Sequence, residues 1–231
     1  KYYGLNASTL IFLVPTQVGT FRCTPSSDRG VSLDTAHGRL QIETSDFQLV
    51  AKAAKPDISL ALNDNVSAHV SKIRNEKSVS RTLGWLTSLL KREPEFPGFI
   101  FGSIEGTNDL HLRKLSALQT AALPVDGFVI SGICSGESSE ERDNILSTIL
   151  PLLPDEKCRA ISSVTSPLDI LNAIHHGVDV IQSDYATVLS NLCYASVFSI
   201  PNSRSGLVSS ATRNIEDWRP KFCPCGTKVA A

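Results

Sequence analysis

The sequence has no methionine, no long apolar run and a formal net charge of only −1. No apolar stretch approaches the ~20 residues that a membrane-spanning helix requires, and residues 11–14 are too short a run for a secretory signal. The weak net charge excludes an overall basic field, so any RNA contact would depend on a local patch or a partner. Because a chain without methionine does not begin at its own translation start, we expect a fragment or a processed product.

The composition that remains is that of a globular protein. The chain has 231 residues, of which 42% are hydrophobic and 19% are charged, enough for one large domain with a substantial core. The six cysteines are scattered. Without a secretory signal, reduced thiols are expected.

Short β-prone apolar segments alternate with amphipathic helical segments along most of the chain, which predicts a parallel sheet covered by helices. A first strand at 10–14 and a hairpin over 31–43 precede this series. The later strands are predicted at 57–62, 99–101, 128–130, 159–164 and 178–183. The helices are predicted at 47–55, 77–92 and 140–153, with two more beginning at Asn108 and after Ser166. Asp46 is the preferred N-cap of the first helix.

Such a sheet can close into a (β/α)8 barrel or stay open as a doubly wound sheet. A dinucleotide-binding doubly wound sheet would carry a G-x-G-x-x-G turn after a strand, and no predicted strand is followed by one. The strands instead end in short polar or glycine-rich turns, as expected where barrel strands converge on one site. We therefore predict a TIM barrel that is incomplete in this chain. The open parallel edges of an incomplete barrel predict marginal stability or aggregation.

The last predicted strand, 178–183, begins apolar and turns polar at Gln182, Ser183 and Asp184. This pattern predicts a strand that is buried along its length and presents chemistry at its carboxyl end. Asp184 is either a catalytic acid or a strand-end cap. We prefer the cap, because a catalytic acid needs several partners.

A modest basic cluster lies around the start of the second predicted helix. Its members are Lys72, Arg74, Lys77 and Arg81. Clusters of this size are most often a solvated helix face, with RNA contact as the alternative.

Five short motifs follow one another in order. They are F-G-S-I-E-G at 101–106, D-G-F-V-I-S-G at 126–132, L-P-D-E-K-C-R at 153–159, P-L-D-I at 167–170 and H-G-V-D at 176–179. Together they resemble the tRNA-guanine transglycosylase family, and the similarity covers most of the chain. The hairpin and the turn after Asp64 make the resemblance closest to the accessory branch of that family.

The resemblance implies a partial TIM barrel over residues 1–200, followed at 201–231 by a linker and the truncated start of a zinc-binding subdomain. Complexes of this family exchange guanine for queuine at the wobble position of tRNAs with GUN anticodons, those for aspartate, asparagine, histidine and tyrosine. The accessory subunit forms a heterodimer with a catalytic subunit and meets tRNA through that complex. It is linked to the cytoplasm and the mitochondrial outer membrane. The resemblance therefore implies a non-catalytic subunit of a glycosyltransferase.

The chain departs from catalytic members of the family at the nucleophile. Those members have an aspartate there, and Gln182 occupies the matching position. An amide cannot attack the ribose C1′ and hold a covalent RNA intermediate. Asp184 would be displaced by roughly 6–7 Å along the strand, too far for in-line attack. The Asp-Ser-Gly-Gly-Phe-Gln motif that supplies the family's other catalytic carboxylate is replaced by Pro15-Thr16-Gln17 and its neighbours. We therefore predict no catalytic residue.

The resemblance also marks remnants of a substrate pocket. Glu105 and Gly106 match the base-recognising Gln-Gly of catalytic members, and Asp64 matches a purine-binding aspartate. Gly102 and Gly132 belong to the same motifs. Judged from the residues alone, Asp64 and Glu105 could equally be solvated loop carboxylates.

The resemblance implies Zn2+ as a cofactor. The family binds it through Cys-x-Cys-x-x-Cys and a distant histidine, and Cys223 and Cys225 match the first two positions. Lys228 stands at the third position, and no histidine follows it. Because structural zinc takes four ligands, we expect Zn2+ in a full-length family member and an incomplete site here.

Three alternatives stay open. The chain could be an active transglycosylase that uses Asp184. It could also be an RNA- or protein-binding barrel with no link to queuine. A small-molecule TIM-barrel enzyme is the weakest alternative, because no complete phosphate-binding or acid–base set is present.

Overall fold

The structure, a computed structural model, describes residues 8–15, 26–35, 38–92, 96–164, 166–192, 194–195 and 221–222. The strands are β1 (Phe12–Leu13), β2 (Gly30–Thr35), β3 (Gly38–Glu43), β4 (Ile58–Leu60), β5 (Phe99–Ile104), β6 (Gly127–Ile130), β7 (Cys158–Val164), β8 (Val180–Ser183), β9 (Tyr194–Ala195) and β10 (Lys221–Phe222). The helices are α1 (Thr44–Ala54), α2 (Lys72–Arg92), α3 (Leu110–Ala121), α4 (Ser139–Ile149), α5 (Pro167–His175) and α6 (Tyr185–Asn191), with a 3-10 turn at Leu150–Leu152.

Six strands form one parallel sheet in the order β1–β4–β5–β6–β7–β8. A doubly wound sheet would place its first strand in the interior and add strands on both sides. In this sheet every strand lies beside its neighbour in sequence, with only the antiparallel hairpin β2–β3 inserted between β1 and β4. This is the order of a barrel wall, so the α/β barrel class is confirmed over the described strands, as is the hairpin.

Two clusters of buried apolar side chains lie on opposite faces of this sheet. The buried members of the inner cluster are all strand residues: Leu60, Phe101, Val129 and Ala160. The outer cluster joins the strands to the helices and includes Phe128 and Ile130. Because side chains alternate along a strand, Val129 faces inward while its two neighbours pack against helices. The sheet is thereby covered on its helical face and filled on its inner face.

Two predicted helix starts are wrong. α2 begins at Lys72 and not at Lys77, because the Ser71 hydroxyl accepts a hydrogen bond from the Arg74 amide at 3.4 Å and begins the helix one turn earlier. In α1 the N-cap is Glu43. Asp46 lies at the third helical position and accepts from the Glu43 amide at 2.9 Å, as one half of a capping box.

The prediction that the last strand is buried along its length is also wrong. Val178, just before β8, is buried, but Val180 is 36% exposed. Among the described strands β8 pairs with β7 alone, so its other edge lacks a covering neighbour. None of the helices in the described part of the chain combines the length and apolar character needed to cross a membrane. The segments 201–220 and 223–231 lie outside the described residues, so the division at residue 200 stays a prediction.

Candidate functional site

Asp64, which follows β4, is buried beneath the first half of α2. Its side chain is 1% exposed, and the guanidinium of Arg74 binds both carboxylate oxygens, with Nη1 donating to Oδ2 at 2.6 Å and Nη2 donating to Oδ1 at 2.7 Å. A second guanidinium nitrogen, Nη1 of Arg81, lies 3.5 Å from Oδ2. The interpretations of Asp64 as a solvated carboxylate and of Arg74 and Arg81 as a solvated face are therefore wrong.

The backbone of Asp64 is held by the same helix. Its amide donates to Oγ1 of Thr82 at 3.0 Å, and its carbonyl accepts from Oγ of Ser78 at 2.5 Å. Arg74, Ser78 and Thr82 are spaced four residues apart and so share one face of α2. One helix face therefore fixes both the backbone and the carboxylate of Asp64.

Glu105, just after β5, is fully buried and belongs to a network that joins three strands. Its Oε1 accepts from Nδ2 of Asn63 at 2.9 Å and from Oγ of Ser103 at 2.9 Å. The Ser103 hydroxyl also lies 2.7 Å from that of Ser131. Because a hydroxyl has one proton, Ser103 donates to Glu105 and accepts from Ser131. The ends of β4, β5 and β6 are thereby connected.

The other carboxylate oxygen of Glu105, Oε2, is buried without a hydrogen-bond partner, and so is Oδ1 of Asn63. Burial raises the pKa of Glu105, and this effect outweighs the opposing influence of the Arg113 guanidinium and of the hydrogen bonds from Asn63 and Ser103. The site therefore favours the neutral carboxyl form more than water does. The interpretation of Glu105 as a solvated loop residue is wrong.

Arg113 on α3 is also fully buried, and it binds the backbone around this network. Nε donates to the Thr107 carbonyl at 2.8 Å, Nη1 to those of Ile104 and Ser131 at 2.8 and 2.7 Å, and Nη2 to that of Gly132 at 3.0 Å. Burial lowers the pKa of Arg113 to about 10, against the opposing effect of two nearby glutamates, so the guanidinium is charged at neutral pH. One side chain thus ties the end of β5 to the end of β6.

Gly106 and Gly132 occupy backbone conformations that exclude a side chain, with φ of +137° and +63°. A Cβ on Gly106 would lie 2.7 Å from the Arg113 amide nitrogen, and one on Gly132 would lie 3.2 Å from Oε2 of Glu105. Both glycines therefore allow the backbone to approach the buried polar groups closely.

Gly102 has a different surrounding from the other two glycines. A Cβ at Gly102 would lie 2.5 Å from Cγ2 of Thr120 on α3 and 3.1 Å from Cδ2 of Leu86 on α2. The position faces the helices and lets them pack closely on β5. The structure thus places Gly102 in the helix–sheet interface, away from the network around Glu105.

The loop after β6 is closed by Glu137. Its carboxylate accepts from the amides of Cys134 and Ser135 and from Nε of Arg142, the last at 2.9 Å. Burial raises the pKa of Glu137, but these hydrogen bonds together outweigh it and lower the pKa. The charged carboxylate therefore holds the loop that carries Gly132.

Gln182 lies on β8, and β7 separates that strand from the network on β4, β5 and β6. The register pairs Val180 with Ala160 of the inner cluster, so Gln182 faces the same inner side two residues on. Asp184 lies at the N-cap position of α6, but its side chain makes no capping hydrogen bond, and its Oδ1 is buried without a partner. Its role as a strand-end cap therefore stays a prediction.

Cys223 and Cys225 lie outside the described residues. Within the described ranges, no group of three or more His, Cys, Asp and Glu side chains is placed to hold a metal ion. The zinc expectation therefore stays a prediction.

Two arginines at this site were not predicted to bind it. Arg74 was grouped with its basic neighbours, and Arg113 was not singled out. Arg113 lies four residues before the buried Ala117 and directly after the buried Leu112. A charged residue on the apolar stripe of a helix was the available signal.

Comparison with known proteins gives the relatives of this chain. The family model for queuine tRNA-ribosyltransferase matches residues 6–228. The queuine tRNA-ribosyltransferase accessory subunit 2 of Gallus gallus is 30% identical over 233 residues, covering 96% of this chain and 55% of the relative. The protein of the same name from Homo sapiens is 30% identical over 219 residues, covering 90% and 53%.

A bacterial relative is also similar. The queuine tRNA-ribosyltransferase of Thermus thermophilus is 32% identical over 154 residues, covering 66% of this chain and 39% of the relative. The chain thus spans about half the length of the accessory-subunit relatives it matches.

Proposed function

Because the chain belongs to the queuine tRNA-ribosyltransferase family, we propose that it is a non-catalytic accessory subunit of such an enzyme. The accessory-subunit relatives from chicken and human support this role, since their similarity covers at least 90% of the chain. The observation that carries the proposal is Gln182 on the inner side of β8, the residue that the resemblance matches to the aspartate of catalytic members. A neutral amide there cannot serve as the nucleophile.

In this proposal the chain pairs with a catalytic subunit that supplies the nucleophile. The heterodimer exchanges guanine for queuine at the wobble position of tRNAs with GUN anticodons, and the accessory chain meets tRNA within the complex. Its place in the cell is the cytoplasm, including the surface of the mitochondrial outer membrane. Asp64, Glu105, Gly106 and Gly132 are then remnants of a base pocket.

The proposal is tested by incorporation of labelled guanine into tRNA. We expect none with this chain alone and robust incorporation when the catalytic subunit is added. Gln182→Ala is the matched variant, and the mixture should keep its activity because the amide has no chemical role. Robust incorporation by this chain alone would overturn the proposal.

Zinc is part of the proposal for the full-length protein. Cys223 and Cys225 would supply two thiolates of a tetrahedral site, and the other ligands would come from elsewhere. Metal analysis of the full-length protein should give about one zinc per chain, with loss in a Cys223→Ser, Cys225→Ser variant. Equal zinc in the variant would contradict the assignment.

A second candidate is an active transglycosylase that uses Asp184, and one observation favours it. Oδ1 of Asp184 is buried and has no hydrogen-bond partner, so this oxygen is not used by a contact within the described residues. Under this alternative the chain alone would form a covalent adduct with tRNA, and Asp184→Asn would abolish it. The absence of an adduct with the unaltered chain would exclude this candidate.

A further inference from the structure

The placement of Arg74 is unfavourable for the helix that carries it. Arg74 lies in the first turn of α2, and that turn contains no acidic residue. The amino end of a helix carries partial positive charge, so a cation there costs stability. Helix formation therefore does not explain Arg74, and the contact with Asp64 does.

That contact has the geometry of a bound ligand. Two parallel N–H groups of a planar cation meet both oxygens of one carboxylate, which is the strongest arrangement that a carboxylate accepts. Any amidine edge, such as that of a guanidinium or of a 2-amino-4-oxopyrimidine ring, presents the same pair of donors. Arg74 thus takes the position that such an edge would need.

The groups next to Asp64 favour a ligand rich in donors. Oδ1 of Asn63 is a buried acceptor without a hydrogen-bond partner, and Nδ2 of the same amide donates to Oε1 of Glu105. Buried acceptors without donors cost free energy. Beside Asp64, this end of the sheet therefore holds an acceptor that has no donor of its own.

We propose that Arg74 is a built-in plug, whose guanidinium occupies Asp64 in place of an amidine-type ligand and so closes this end of the barrel to such ligands. The inference deepens the proposed function, because it gives the accessory chain a physical reason for not taking up the base. The guanidinium reaches in from the surface, with the Arg74 side chain 26% exposed and Asp64 1% exposed. Arg81, 3.5 Å away, leaves the carboxylate partly compensated when Arg74 is removed.

The test is chemical rescue of Arg74→Ala. The variant exposes a carboxylate shaped for two donors, so methylguanidinium and guanine should each bind it and raise its Tm. At ten times the dissociation constant the expected rise is about 4 °C. The unaltered chain should show no rise, because Arg74 already fills the position. The double variant Arg74→Ala, Asp64→Asn is the matched control and should show none either.

A second variant keeps the test decisive if Arg74→Ala does not fold. Arg74→Lys retains the charge but offers one point of contact to Asp64. If Arg74→Ala folds, Arg74→Lys should bind methylguanidinium with at least tenfold lower affinity than Arg74→Ala. If Arg74→Ala does not fold, Arg74→Lys should bind methylguanidinium at least tenfold more tightly than the unaltered chain. Equal binding by the unaltered chain and the folded variants would overturn the plug, as would a folded Arg74→Ala with no ligand response. These measurements need neither tRNA nor the catalytic subunit. Failure of the accessory role would appear separately, as guanine incorporation by the unaltered chain alone.

Discussion

A buried glutamate, Glu105, and a buried arginine, Arg113, lie at the carboxyl end of the sheet. Different contacts compensate for the burial of each polar group. Arg113 is compensated mainly by four backbone carbonyls. Glu105 uses one oxygen for two hydrogen bonds and leaves the other without a partner. The arginine is therefore well satisfied as an ion, whereas the glutamate is better satisfied when it holds a proton.

The first prediction concerns the pH dependence that Glu105 confers. Its pKa is raised in the folded state, so its contribution to stability is fully present below the ordinary value of 4.5 and is lost as pH rises through the folded value. Glu105→Gln removes the titrating proton and keeps the acceptor. The free energy of unfolding of the variant should exceed that of the unaltered chain increasingly above pH 4.5, with little pH-dependent difference below it.

Urea unfolding at a series of pH values measures this effect. The solvent-exposed Glu140→Gln is the control for loss of a carboxylate. A difference between Glu105→Gln and the unaltered chain that grows as pH falls would contradict the prediction.

The second prediction concerns Arg113. Arg113→Met keeps most of the side-chain volume but removes four hydrogen bonds that a buried cation donates to backbone carbonyls, and we expect a loss of about 3 kcal/mol or more in the free energy of unfolding. Its exposed neighbour Lys114→Met should change stability by less than about 0.5 kcal/mol. Equal effects of the two substitutions on the free energy of unfolding, measured in urea, would show that the contacts of Arg113 with the strand ends do not stabilise the fold.

At the scale of the elements, helix starts depend on short polar signals. Ser138 caps α4, because its hydroxyl accepts from the Glu141 amide at 3.2 Å while the Glu141 carboxylate accepts from the Ser138 amide at 2.7 Å. Both halves of a capping box are therefore present.

The third prediction follows from this cap. Ser138→Ala should lower the free energy of unfolding by about 1 kcal/mol, since one amide of the first turn loses its acceptor. Ser147→Ala, in the same helix and exposed, should have little effect. Thermal unfolding of the two variants checks the difference, and an equal Tm for both would argue against a stabilising cap.

The elements show where the sequence was sufficient and where it was not. Alternation of strands and helices, the hairpin and the start of α5 at Pro167 were predicted, because each depends on local pattern. The early start of α2 was missed, since residues 72–76 lack an apolar stripe and the signal is the single hydroxyl of Ser71. The exposure of Val180 depends on which strand lies beside β8, which a local pattern does not contain.

The candidate site was predicted in part for the same reason. Asp64, Glu105, Gly106 and Gly132 stand in short motifs at strand ends, and the structure brings them together. Their partners on helices come from elsewhere in the sequence: Arg74 lies ten residues from Asp64, and Arg113 contacts a loop nineteen residues away. Such pairings depend on how helices pack on the sheet.

At the scale of the whole molecule, the edge of the sheet at β8 carries the fourth prediction. Within the described strands β8 has a partner on one side only, and Val180 is 36% exposed on it. An exposed apolar edge strand promotes association between chains. Val180→Lys should therefore slow aggregation of this 231-residue chain.

Light scattering at fixed protein concentration measures this effect. Val50→Lys, an exposed apolar position on α1, adds the same charge away from the sheet. If both variants slowed aggregation equally, net charge and not the edge would be responsible.

The order of the strands in the sheet has a consequence for how the chain folds during its synthesis on the ribosome. Each strand from β5 to β8 finds its hydrogen-bonding partner in the unit that left the ribosome immediately before it. No strand from β5 to β8 has to wait for a distant segment, so the growing sheet can add one strand at a time and keep loop closure local. All residues of the network on β4, β5 and β6, with the arginine plug, precede β7 in the sequence, so the network can form before β7 and β8 emerge.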